Sequence, residues 1–154
     1  MRHLILLTAA SVTLVGVAVA QTPARTPAQL VQARQASYKQ ILGAFKGIND
    51  QLKASDPALP TIRQHSAVIA RLAPQVSGWF PAGTGAEAGV RTRAKAEIWS
   101  SRPAFRTASV NLVVAARRLD AAAQANDLAA VRAAVPVLGG ACRECHDQFR
   151  GPEN

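Results

Sequence analysis

From residue 28 onward the apolar side chains recur at steps of three and four, the period of a helix that buries one face. A first stripe, Leu30, Arg34, Tyr38, Ile41, Phe45, Ile48 and Leu52, follows the helix-start signal Thr26-Pro27 and should stop near Ser55, ahead of Asp56-Pro57. A second runs Leu59, Ile62, Ser66, Ile69, Leu72 or Ala73, and Val76; Pro60 is tolerable in its first turn, and Pro74 should end or kink it. A third, Phe105, Ser109, Leu112, Ala116, Leu119 and Ala123, opens after Ser100-Ser101. The fourth, capped by Asp127, carries Leu128, Val131, Val135, Leu138, Cys142, Cys145 and Phe149. Links are short except for "GWFPAGTGAEAG" at 78–89, and residues 90–100 read as a lead-in helix to the third stripe. The pattern predicts an all-α protein, an antiparallel up-down-up-down four-helix bundle.

Ahead of the stripes, Arg2, an apolar run from Leu4 to Ala18 and the ending Ala18-Val19-Ala20 read as a cleaved secretory signal peptide over 1–20, leaving one domain over 21–154. The apolar run is shorter than the roughly 20 residues that span a bilayer, so no membrane insertion is expected after cleavage. Arg2 is the leader's only charged residue, and its loss takes the net charge from +9 to +8. Such a surface favours acidic partners or serves solubility. Export and the lack of a recognition motif argue against nucleic acid.

Export also sharpens the question posed by the two cysteines, both in "ACRECHDQFR" at 141–150. A disulfide across three residues staples nothing distant. A thiol switch wants its pair at a helix N-terminus in an α/β unit, whereas this pair lies late in a helix of an all-helical chain. A structural zinc site needs four ligands, and His65, the other histidine outside the leader, sits alone on the second helix. Cys142-x-x-Cys145-His146 instead fits covalent attachment of haem c, one per chain. Two sulfurs one helical turn apart meet one haem edge, and His146 offers an imidazole to the iron. The bundle should therefore enclose the haem, with Gly139 and Gly140 letting a flat group approach the helix and Pro136 introducing a kink at a cost of about 3 kcal/mol.

This motif, followed by Asp147 and Arg150, together with "RQASY" at 34–38, "FPAGTG" at 80–85 and "EIWS" at 97–100, resembles the cytochromes c′ over nearly all of residues 31–150. The resemblance implies a periplasmic, five-coordinate, high-spin haem protein that is not an enzyme. It implies a one-electron carrier that also binds NO or CO, or else a dedicated NO-sequestering protein, with redox proteins as partners and a homodimer as its assembly. It places Arg34 and Gln35 near the haem propionates, Tyr38 as a steric gate on the distal face, Phe80 in the same pocket, Trp99 in the core and Arg150 on the proximal side. An Arg34 that snorkels to solvent and an Arg150 that only complements the helix dipole are the other readings of those cations. The sole methionine, Met1, leaves with the leader, so a Met–iron bond is excluded. His65 is the alternative sixth ligand, in a low-spin carrier. Pro136 departs from the family pattern, where a small residue is expected.

Overall fold

The computed structural model describes residues 24–152, so the leader assigned to 1–20 lies outside the described residues. Helix α1 (Pro27–Lys53) starts in a capping box: the Thr26 hydroxyl accepts from the Gln29 amide, and the Gln29 side chain accepts from the Thr26 amide. The Gln51 side chain accepts from the Ala58 amide across the turn into α2 (Leu59–Leu72). Pro74 stops the α-helical ladder there, and the chain continues as a 3-10 turn over Ala73–Gly78. After a second 3-10 turn (Ala86–Ala88) and a one-turn α3 (Glu97–Ser100) come α4 (Arg102–Gln124) and α5 (Leu128–Phe149), the latter capped by the Asp127 carboxylate. None of these helices is long and apolar enough to cross a membrane.

The four long helices pack in the predicted antiparallel order, α1 on α2, α2 on α4 and α4 on α5. All six residues of the third stripe are buried, and the other stripes are buried or half-buried throughout. The stripes omitted Val31 and Ala44, which widen the buried face of α1. One end of the bundle is closed by Ile48, Ile62, Leu119, Ala123 and Val131, all fully buried. There Arg132 on α5 donates to the Leu52 carbonyl of α1, and the buried Ser66 hydroxyl of α2 donates to Asp120 of α4 at 2.7 Å.

One expectation changes. Residues 91–95 are extended rather than helical, because the C-terminal end of α5 satisfies their backbone. Lys95 N donates to Phe149 O, Gly151 N donates to Arg93 O, and Ala94 and Arg150 form an antiparallel bridge. Helix α5 runs as one helix through Pro136. The ring lies on the exposed face, which limits the damage of the hydrogen bond it removes.

Candidate functional site

At the other end α1 and α5 are not closely packed, and a cavity of about 610 Å³ lies between them and α4. That volume falls within the range of about 300–1,000 Å³ usual for small-molecule and cofactor sites. Its walls are mostly apolar, with Arg34, Arg93, His146 and Arg150 among the polar members, the pairing of apolar surface and few polar groups that suits a cofactor. Its floor is Leu112, Leu138, Ile98 and Phe105, and Phe105 meets Phe80 and Phe149 edge to face at 5.1 and 5.2 Å.

The residues expected to hold or face the cofactor converge on this cavity: Arg34, Gln35, Tyr38, Phe80, Cys142, Cys145, His146 and Arg150 all line it. The α-helical repeat accounts for the α5 members, with Cys142 and Cys145 three residues apart and Arg150 four beyond His146. Both cysteines are free and half-buried. Burial pushes the Cys142 thiol up, and burial followed by its neighbour Cys142 pushes Cys145 up to about 11. A thiol switch would need the opposite shift. His146 stands at the mouth. Partial burial, then the Arg150 and Arg93 cations, hold its imidazole below its ordinary pKa against the opposing pull of Asp147. At neutral pH it is therefore neutral, the form in which a nitrogen lone pair is available.

On the α1 side, Tyr38 and Trp79 meet edge to face with centroids 5.1 Å apart, and Tyr38 is tilted against Phe80 at 6.4 Å. Burial is the main cause that drives its phenol well above the ordinary range, with the two thiols adding to it and Arg34 opposing. Trp99 packs against the core as expected, and its indole N–H is shared between the Phe80 and Pro81 carbonyls, which holds Phe80 in the cavity wall.

Arg34 does not snorkel. It is 3% exposed, lies 4.5 Å over the Phe80 ring, and donates to the Thr84 and Thr92 hydroxyls at 3.0 and 2.8 Å. Burial lowers its pKa, partly offset by Tyr38 and Glu87, yet a guanidinium stays charged. Gln35 donates to the Arg91 carbonyl at 2.9 Å. Thr84 and Thr92 escaped the sequence reading because they sit in loops where no helical period marks an inward position.

Two expectations do not reach the cavity. Of the glycine pair only Gly139 lines it; a Cβ there would meet Phe45 at 3.6 Å. His65 lies against Gly47 of α1, so closely that a Cβ at Gly47 would fall 2.3 Å from its Nε2, and it does not line the cavity. Standing one position off the inward stripe directed it to the α1–α2 seam, which removes the sixth-ligand alternative.

The donor set suits a haem. Apolar walls could take a broad ring, two thiols sit one turn apart with an imidazole beside them, and Arg34, Gln35 and Arg150 could meet carboxylates at the rim. The Cytochrome C′ family model matches residues 29–150. The chain is 36% identical to cytochrome c′ of Rhodospirillum rubrum, over 82% of this chain and 85% of that one. It is 32% identical to that of Pararhodospirillum photometricum, over 81% and 98%. Among solved structures it resembles cytochrome c′ from Thermochromatium tepidum, with a TM-score of 0.79 and 27% identity over 84% of this chain and 100% of that one. A nitric oxide complex of a variant cytochrome c prime from Alcaligenes xylosoxidans superposes with a TM-score of 0.76 at 26% identity, over 85% and 100%. Bundle, cavity, motif and likeness agree: the chain belongs to the cytochrome c′ family, whose members carry a c-type haem.

Proposed function

We propose that this protein is an exported, periplasmic haem protein that carries single electrons and binds small diatomic gases. The observation that carries the reading is the convergence of both thiols, His146 and Tyr38 on one apolar cavity. Cys142 and Cys145 would attach the haem by thioethers, His146 would ligate its iron, and Arg34, Gln35 and Arg150 would face the propionates. When bound, the haem supplies a one-electron iron couple with one open coordination position.

Tyr38 leaves that position open but crowded. Its buried phenol stays protonated at neutral pH, and the contribution of the thiols to that shift disappears on thioether formation while the burial remains. A neutral phenol is a poor ligand, so a haem iron held here by His146 would be five-coordinate and high-spin. The α1 residues that line the cavity include no histidine and no carboxylic acid, the usual proton shuttles of peroxidase chemistry. NO sequestration is the second reading, favoured by the nitric oxide complex of the similar Alcaligenes protein. Self-association as a homodimer, implied by the resemblance, belongs to the same proposal.

Truncation at the gate tests gas binding. Tyr38→Ala should speed CO capture by the reduced holoprotein in stopped-flow mixing; an unchanged rate removes Tyr38 from the gate. The electron role is tested through charge. Arg91, Arg93 and Lys95 alternate along the extended segment beside the cavity mouth and line a shallow groove of about 160 Å³. Electron exchange with an acidic redox protein should slow as ionic strength rises from 0.01 to 0.15 M, where the screening length falls from about 30 to about 8 Å. Arg91→Glu with Lys95→Glu should slow it further at low salt. Rates indifferent to both would remove the acidic partner.

A further inference from the structure

Arg34 is a buried cation whose two protein hydrogen bonds go to neutral hydroxyls, which leaves its charge to act on the haem and the propionates it would face. A positive charge is thus built into the cavity wall and held in place by two hydroxyls. The two are not equivalent. Thr84 is fully buried and is fixed within its own loop by donating to the Pro81 carbonyl at 2.8 Å. Thr92 belongs to the extended segment 91–95, and its Oγ1 accepts both from Arg34 and, at 3.2 Å, from the Ala94 amide.

That segment is a strap. Ala94 bridges to Arg150, Gly151 N donates to Arg93 O at 2.7 Å, and Lys95 N donates to Phe149 O at 3.0 Å, so one end of the connection is the helix terminus that carries His146. The other end is α1, held through Arg34 on Thr92 and Gln35 on the Arg91 carbonyl. Since α1 and α5 do not pack closely, these bonds are what span the cavity mouth. We propose that Thr92 is a positioning residue of the haem site: through one oxygen it holds the Arg34 charge against the cavity and ties the distal wall to the end of the proximal helix. The inference rests on the reading of the cavity as a haem site.

The consequence is electrical. A fixed cation near a redox centre favours its more negative, reduced state, and Arg34, being 3% exposed, is itself weakly screened by solvent. Thr92→Val keeps the shape and removes the acceptor. One guanidinium N–H is then left without a partner, a cost that Arg34 relieves by turning toward water.

The test is a spectroelectrochemical titration of the holoproteins, each checked by its pyridine haemochrome spectrum. Thr92→Val should lower the midpoint potential toward that of Arg34→Gln, and Thr92→Ser, which keeps the oxygen, should stay at the wild-type value. In the Arg34→Gln background Thr92→Val should produce no further fall, because the two changes act through one charge. A Thr92→Val potential equal to wild type overturns the proposal, as does an equal fall in both backgrounds. Should the valine variant not accumulate, Thr92→Ala carries the same two outcomes. A wild-type chain whose haemochrome spectrum shows no attached haem would instead overturn the haem-site reading beneath it.

Discussion

Replacing both cysteines, Cys142→Ala with Cys145→Ala, is expected to abolish all haem that survives acid–acetone extraction, whereas the wild-type chain keeps one haem. The reasoning begins with helix geometry. Residues three apart on α5 place both sulfurs on the wall of one cavity, and the chain has no other cysteine to take over. Burial holds both thiols protonated at neutral pH, so their reaction is set by what is held in the cavity rather than by free thiolate chemistry. Either single variant should retain one thioether and hence some covalent haem. Pyridine haemochrome spectra and intact mass before and after extraction read both results. Extraction-resistant haem in the double variant would show attachment elsewhere.

The second large effect falls on stability. Phe105→Ala should destabilise the holoprotein by about 3–5 kcal/mol, the usual cost of truncating a buried aromatic. Phe105 is 2% exposed and touches Phe80 and Phe149 edge to face, joining the loop wall of the cavity to the last turn of α5. The lost contacts therefore span three separate segments, and no single neighbour can move in to fill the space. Thermal denaturation followed by circular dichroism should show the midpoint falling by about 10 °C or more. A shift within a degree or two would mean that the aromatic chain does not carry the packing assigned to it.

Much of this was legible in the sequence because helices repeat. The third stripe is buried at every predicted position, and the α5 stripe carries Cys142 and Cys145 to the cavity without any knowledge of the fold. Arg34 was readable for the same reason, since a charge on an inward stripe must find partners. What was hidden lies in the long connection. Thr84, Thr92 and the bridge from Ala94 to Arg150 depend on where two loops meet, 58 residues apart in the case of Arg34 and Thr92, and no local period announces such pairing. The segment 91–95 was read as helical because its residues tolerate a helix. The unpaired backbone at the end of α5 gave it a better partner than itself. His65 shows the reverse limit: a candidate chosen by residue type was displaced by one position of helical phase and by the glycine opposite it.

The central claim, a haem held by Cys142 and Cys145 with His146 on one side and an open, Tyr38-guarded position on the other, is tested most directly by one measurement. The visible absorption spectrum of the purified reduced protein should be recorded with and without CO. A five-coordinate, high-spin haem spectrum that shifts on CO addition is predicted; six-coordinate, low-spin bands in the CO-free protein, or a colourless protein, would contradict it.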